Sequence, residues 1–176
     1  LTVYFGYINF RNVESDNIFS FNAKLFEDSL TDVVVFIFEG SVHASVCLIV
    51  CDTAHNSHGI KHIAEQLQQY LENGLYSNIR IVIGMVKDKD ISETLSLLPK
   101  SAKYYFTQAS IERSMSASEI QKIAISLGLH GNTYNTVPQA IAAARAEASA
   151  NDFIFVGGST FIVSDLLSMV EFFIQG

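Results

Sequence analysis

The sequence predicts an α/β fold, in which a mainly parallel sheet carries helices on both faces. The first reason is an alternation of short apolar runs with segments of helical spacing, which begins at Val46 and continues through the chain. The second is the continuous apolar run at residues 46–51, which is typical of a strand buried on both faces of a parallel sheet. The third is length, because 176 residues match the size of one globular domain.

Local signals then define each element in order. Apolar residues recur at helical spacing from Ile60 to Leu71, and Gly74 follows the end of that helix. Ser116 and Glu119 form the S-x-x-E pattern of a capping box at the start of another helix. Strands are predicted at 46–51, 79–83, 103–106, 133–135 and 153–156. Helices are predicted at 58–70, 92–98, 116–127, 138–148 and 161–173.

The first part of the chain has a different character. Residues 1–45 contain short β-like runs at 1–9, 18–26 and 33–38, separated by polar stretches, and they carry no recognisable motif. We therefore predict two units. Residues 1–45 form a β-rich segment packed on the same domain, and residues 46–176 form the α/β unit.

Charge and composition exclude two classes of function. Lys and Arg number 11 against 18 Asp and Glu, and the formal charge of −7 comes without the basic cluster that a nucleic-acid binder needs. No apolar run reaches the roughly 18 residues that cross a bilayer, and no secretory signal is present.

Cys47 and Cys51 fit small core residues of a reducing compartment, so we predict a cytoplasmic protein. The 49% apolar content favours a partner surface, such as a homodimer interface.

Histidine spacing does not predict a metal site. His58 and His62 are four residues apart on a predicted helix and have the spacing of two metal ligands. A lone pair of this kind is more often a surface feature. We therefore predict no metal bound by this chain alone.

Open α/β sheets bind ligands at the carboxyl ends of their strands, so the turn after Cys51 is a first candidate site. Asp52 ends this strand, and a carboxylate there can hold ribose hydroxyls or a metal-bound water. His55 and Asn56 lie where a helix begins and where free backbone N–H groups attract anions. Helix capping by Asp52 or Asn56 is an equally good interpretation.

Two further turns follow predicted strands. In residues 84–90, Lys87 and Lys89 alternate with two aspartates, the second of which is Asp90. The lysines could bind a carboxylate or phosphate while the aspartates hold the amines in place, although a solvated charged loop is the commoner explanation. Residues 156–160 combine two glycines and Ser159 with a helix N-terminus, which resembles an anion-binding nest. Ser159 could equally be a plain N-cap. No P-loop of the form G-x-x-x-x-G-K-[ST] occurs in the chain.

Taken together and in order, these segments closely resemble the C-terminal domain of folylpolyglutamate synthase/dihydrofolate synthase, in the Mur ligase family. They are DTAHN at 52–56, VIGMVKDKD at 82–90, YFT at 105–107 with Arg113 and Ser118-Glu119 after it, and FVGGS at 155–159. The resemblance covers about residues 46–170. It implies a Rossmann-like three-layer sandwich that closes over an N-terminal P-loop ATPase domain.

The resemblance also implies an activity, namely an ATP-dependent ligase that forms an amide bond. In this family, ATP and Mg²⁺ convert a folate or dihydropteroate carboxylate into an acyl phosphate, which the amine of L-glutamate then attacks. By position, His55, Lys89 and Ser159 would bind glutamate, and Asp52 and Asn56 would bind the nucleotide. The P-loop domain would hold most of the ATP and Mg²⁺, so we expect the chain alone to be inactive.

Two residues with open roles, and two departures from the pattern of the family, keep an alternative open. Lys87 is a competitor of Lys89 for the glutamate carboxylate, the role of Arg113 is open, and no residue is assigned as catalytic. The P-loop half is missing, and no arginine lies between Arg11 and Arg80, where the family has one that contacts ATP. The alternative is a non-catalytic binding or dimerisation module of the same fold. A generic flavodoxin-like regulatory domain is a weaker hypothesis, because it leaves the turns unexplained.

Overall fold

The computed structural model describes residues 2–7, 33–39, 47–54, 57–87, 90–149 and 151–175. The strands are β1 (Thr2–Tyr7), β2 (Val33–Glu39), β3 (Cys47–Asp52), β4 (Asn78–Ile83), β5 (Lys103–Phe106), β6 (Gly131–Thr133) and β7 (Asp152–Gly157). The helices are α1 (Ser57–Glu72), α2 (Ile91–Ser96), α3 (Ala117–Ser126), α4 (Val137–Glu147) and α5 (Thr160–Gln175).

All of these strands belong to one sheet, in the order β1-β2-β3-β7-β4-β5-β6. The five strands from β3 to β6 in this order run parallel to their neighbours. β1 and β2 extend the sheet beyond β3 as antiparallel neighbours. The predicted α/β fold with a mainly parallel sheet is confirmed.

Helices cover the two faces of the sheet with separate apolar layers. On one face, α1, α2 and α3 pack against side chains such as Ile79, Ile81 and Tyr104. On the other face, α4 and α5 pack against side chains such as Val82 and Tyr105. Successive residues of a strand point to opposite faces, so a strand that is apolar throughout is buried on both sides. The layers give the predicted three-layer arrangement.

Local sequence signals account for several helix ends. The Oγ of Ser116 accepts from the N–H of Glu119, whose carboxylate accepts the N–H of Ser116 in return, so the predicted capping box is confirmed. Gly74 lies in the left-handed region with a φ of +64°, just beyond the end of α1.

The predicted strand at 133–135 is displaced, because β6 pairs with β5 at Gly131–Thr133 instead. The β-like run at 18–26 lies outside the described residues.

The first part of the chain contributes to the same sheet. Val33 to Phe38 of β2 pair with residues 47–52 of β3 in antiparallel register, and β1 pairs with the other edge of β2. The division of the chain at residue 45 stays a prediction. Within the described part of the chain, no helix is both long and apolar enough to cross a membrane.

The strand order places a crevice at the carboxyl edge of the sheet. β7 is inserted between β3 and β4. The helices that follow β3 and β4 cover one face, whereas α5, which follows β7, covers the other. At such a reversal the connecting turns diverge, and the space between them is the usual ligand site of an open α/β sheet. The three turns selected from the sequence follow these three strands.

Candidate functional site

The turns after β4, β5 and β7 meet at the carboxyl edge of the sheet. The N–H of Gly84 donates to the carbonyl of Gly157 at 3.3 Å, and the N–H of Thr107 donates to the carbonyl of Ile83 at 2.9 Å. A Cβ atom on Gly84 would lie 2.8 Å from the Thr107 carbonyl oxygen and 2.4 Å from Cδ1 of Ile162. The missing side chain of Gly84 therefore lets these segments approach one another.

The turn after β7 forms the N-terminus of α5. Gly158 has a φ of +91°, and a Cβ atom there would lie 2.7 Å from the carbonyl oxygen of Gly84. Ser159 is buried, and its Oγ accepts a hydrogen bond from the N–H of Phe161 at 3.3 Å. Ser159 is therefore the N-cap of α5, the plainer of its two interpretations. Because a hydroxyl is a donor as well as an acceptor, this cap leaves the O–H group able to donate to an anion.

The turn after β4 is joined to the segment that carries Arg113. The N–H of Lys87 donates to the carbonyl of Arg113 at 3.1 Å, and the N–H of Met115 donates to the carbonyl of Met85 at 2.9 Å. An antiparallel β-bridge lies between these two bonds. The structure thus brings together Lys87 and Arg113, two cations whose roles were open at the level of sequence.

Both side chains line one open pocket of about 570 Å³, whose walls are Lys87, Ile111, Glu112, Arg113 and Phe161. The guanidinium of Arg113 lies over the ring of Phe161, with 4.9 Å from Cζ to the ring centroid. The face of an aromatic ring attracts a cation, so Phe161 helps to fix the position of Arg113. The pocket therefore combines two cations, one carboxylate and an apolar floor.

Other acidic groups near this pocket have structural partners. The Oδ1 of Asp90 accepts from the N–H of Glu93 at 3.1 Å, so Asp90 caps α2, whereas the sequence suggested that it holds a lysine amine. The pKa of Glu119 is lowered, first by its hydrogen bonds with Ser116 and to a smaller extent by the positive charge of Lys87. Lys87 is thus close to one acidic group outside the pocket lining.

The turn after β3 has a different geometry. Asp52 is only 2% exposed. Its Oδ1 accepts the N–H of Ala54 at 2.6 Å, so the carboxylate shapes the turn before α1 begins. Three of the predicted site residues lie outside the described part of the chain. They are His55 and Asn56, which follow Asp52 in the sequence, and Lys89, which follows Lys87.

His58 and His62, the two histidines with the spacing of metal ligands, lie on α1. The rings of His58 and His62 are in edge-to-face contact on α1, with centroids 4.8 Å apart. In the described part of the chain, no group of three or more His, Cys, Asp or Glu residues has the geometry to hold a metal ion.

Sequence reasoning missed three residues of the pocket, namely Ile111, Glu112 and Phe161. Phe161 had a usable signal, because it follows the Gly-Gly-Ser-Thr segment at 157–160 and the first turn of α5 must bring it to the same edge. Ile111 and Glu112 lie in a segment with no helix or strand, so no period fixes their direction.

The match to a family model decides the family. The model of the Mur ligase, glutamate ligase domain matches residues 38–160, which is more than half of the chain. The chain belongs to the Mur ligase family. The match begins within β2 and ends at the first residue of α5, so it includes the three turns described above.

The named curated relatives of this Mur ligase domain are all folylpolyglutamate synthases. The dihydrofolate synthase/folylpolyglutamate synthase of Escherichia coli is 31% identical over 123 residues, which are 70% of this chain and 28% of that enzyme. The solved structure of E. coli FolC in complex with ADP has a TM-score of 0.65 and 26% identity, over 73% of this chain and 30% of that one.

A second solved structure shows a ligand of direct interest. It is a bifunctional folylpolyglutamate synthase/dihydrofolate synthase with Mn, AMPPNP and L-glutamate bound. Its TM-score is 0.61 at 26% identity, over 70% of this chain and 29% of that one. This Mur ligase domain thus spans less than a third of these relatives and matches their C-terminal part.

Proposed function

We propose that this Mur ligase domain is the C-terminal part of an ATP-dependent ligase that adds L-glutamate to a folate or dihydropteroate carboxylate. The observation that carries the proposal is the pocket in which Lys87 and Arg113 meet beside the N-terminus of α5. A relative of the same fold binds L-glutamate and AMPPNP, and such a pocket suits an amino acid with two carboxylates.

The chemistry of the site supports glutamate in three ways. Lys87 and Arg113 supply positive charge in a chain whose formal charge is −7. The backbone N–H groups at the start of α5 favour an anion, and Ser159 adds a hydroxyl. Phe161 gives the methylene groups of a bound amino acid an apolar surface. Lys89 and His55 complete this glutamate site in the proposal.

The nucleotide half of the proposal rests on fewer observations. Asp52 is proposed to contact the ribose of ATP, and Asn56 to contribute to nucleotide binding, although the described hydrogen bond of Asp52 lies within its own turn. ATP and Mg²⁺ would be held mostly by an N-terminal P-loop domain, since no P-loop sequence occurs in this chain. The chain alone would then bind substrate without forming the acyl phosphate.

The non-catalytic alternative predicts a homodimer through an apolar surface. Among the large apolar residues whose side-chain exposure the structure describes, Leu75 and Ile125 are the exposed ones, at 39% and 53%. They do not by themselves form a large apolar patch. Sedimentation analysis of the chain decides the point, because a dimer together with no response to L-glutamate would favour the alternative.

The proposed function is tested by the affinity of single variants for L-glutamate, measured by NMR titration. Lys89→Ala, Arg113→Ala and Ser159→Ala should each weaken binding about tenfold, the equivalent of about 1.4 kcal/mol. Lys122→Ala is the matched control, because Lys122 carries the same charge near Glu119 and does not line the pocket. Equal affinity in all four variants would refute the proposed site.

A further inference from the structure

The loop between β5 and α3 is fastened to α5 by a residue outside the pocket. One carboxylate oxygen of Asp165, Oδ2, accepts the N–H of Ser110 at 2.8 Å, and the other, Oδ1, accepts the hydroxyl of Ser110 at 2.7 Å. Hydrogen bonds to a charged acceptor are stronger than bonds between neutral groups. Asp165 therefore binds this loop at two points through a single residue.

The same loop carries Arg113, three residues after Ser110. Within the loop, the N–H of Ala109 donates to Oγ of Ser114 at 2.9 Å, and the N–H of Ser114 donates to the carbonyl of Ile111 at 3.1 Å. These bonds close residues 109–114 into a compact turn. A displacement of Ser110 would therefore also displace the backbone of Arg113.

Spacing along α5 explains why both contacts fall on the same loop. Phe161 and Asp165 are four residues apart and therefore lie on the same side of the helix. Phe161 contacts the guanidinium of Arg113, and Asp165 contacts Ser110. Contact with an aromatic ring holds a cation near the face of the ring but leaves its lateral position weakly defined. The second contact, between Asp165 and Ser110, fixes the position of the loop along α5.

We propose that Asp165 is a positioning residue, which through Ser110 holds Arg113 over Phe161 at the wall of the pocket. The value of this position for glutamate rests on the proposed function. The placement of Arg113 itself does not depend on that function, so the two are tested by separate measurements.

Placement is measured first, by NMR in the ligand-free chain. In Asp165→Ala, the side-chain protons of Arg113 should lose the upfield shift caused by the Phe161 ring. The Lys87 amide, which donates to the Arg113 carbonyl, should exchange with solvent about tenfold faster. The Thr107 amide, bonded to Ile83 in the sheet, should keep its exchange rate. Asp165→Asn should restore part of both signals, because its amide oxygen accepts one of the two bonds.

Controls and ligand binding complete the test. Ser168→Ala removes a hydroxyl of α5 that donates to the carbonyl of Ser164 within the same helix, so it should change neither signal. Unchanged Arg113 shifts and Lys87 exchange in Asp165→Ala would overturn the proposal. Normal L-glutamate affinity in a variant whose Arg113 signal is lost would instead contradict the proposed role of Arg113 in glutamate binding. If the unaltered chain binds no L-glutamate, the proposed function fails, and the Arg113 signals still decide the role of Asp165.

Discussion

Arg80 and Asp152 join β4 to β7 through a buried ion pair, with 2.7 Å between Nη2 and Oδ2. Arg80 is 8% exposed and Asp152 is 1% exposed. The guanidinium also donates to the hydroxyl of Tyr105 at 3.0 Å and to the carbonyl of Glu147 at 2.6 Å. Each of the three guanidinium nitrogens of Arg80 thus donates a hydrogen bond. A charge is tolerated inside a fold when it is paired and hydrogen-bonded in this way.

Removing the charge of Asp152 should cost much of the stability of the fold. We expect Asp152→Asn to lower the free energy of unfolding by about 3 kcal/mol, because the buried Arg80 loses its nearer and buried counter-ion and retains Glu147, whose Oε2 lies 3.5 Å from Nη1. Urea unfolding followed by circular dichroism measures the change. Glu65→Gln, at an exposed position on α1, is the matched control and should change stability by less than about 0.5 kcal/mol.

The same pair predicts a dependence on pH. Burial opposes ionisation of Asp152, but hydrogen bonds from Asn78, Ser149 and Arg80 outweigh it and lower the pKa of this carboxyl group. The ionised form therefore stabilises the fold fully above the unfolded pKa of about 3.9, and this contribution is lost as pH falls through the folded value. The stability difference between the unaltered chain and Asp152→Asn should shrink below about pH 4. A difference that stays constant down to the acid unfolding transition would contradict the assignment.

Two glycines with positive φ should respond differently to alanine. At Gly158 a Cβ atom would lie 2.7 Å from the Gly84 carbonyl oxygen, whereas at Gly74 it meets nothing within 4 Å. Gly74→Ala should therefore cost only the left-handed backbone strain, about 1 kcal/mol. Gly158→Ala adds a clash between the turns after β4 and β7, and its loss should reach about 3 kcal/mol. Thermal unfolding compares them, and equal losses would show that the two turns are not in close contact.

Two buried threonines give predictions of opposite sign. The Thr107 hydroxyl is fully buried and has no hydrogen-bond partner among the described residues. The Thr94 hydroxyl donates to the carbonyl of Asp90 at 3.0 Å. Thr107→Val should raise stability by about 1 kcal/mol, and Thr94→Val should lower it by a similar amount. Urea unfolding of both variants checks the signs, and a loss in Thr107→Val would mean that its hydroxyl is satisfied in solution.

Local patterns predicted much of this fold because they depend on near neighbours. The capping box at Ser116 and the helix stop at Gly74 need only a few residues, and both are confirmed. The insertion of β7 between β3 and β4 could not be predicted in this way, because it depends on pairing between distant segments. Arg80 shows the same limit, since its partner Asp152 is 72 residues away.

The candidate site divides along the same line. The three turns could be selected from the sequence, because each follows an apolar strand and carries polar groups. The contact of Arg113 with Phe161 could not be predicted, because it joins a loop without regular structure to a helix 48 residues later (161 − 113). Asp52 and Ser159 were ambiguous for another reason, since capping and ligand binding use the same side-chain oxygens.

The most direct test of the proposed glutamate site is an amide NMR titration of the unaltered chain with L-glutamate, with L-glutamine as the matched ligand. L-Glutamine keeps the α-amino and α-carboxyl groups and replaces the side-chain carboxylate, so the comparison isolates recognition of the second negative charge. We predict shifts confined to the turns at 52–56, 87–90 and 157–160 and to the loop of Arg113, with a much weaker response to L-glutamine. No response to millimolar L-glutamate, shifts elsewhere, or equal responses to the two amino acids would contradict the account.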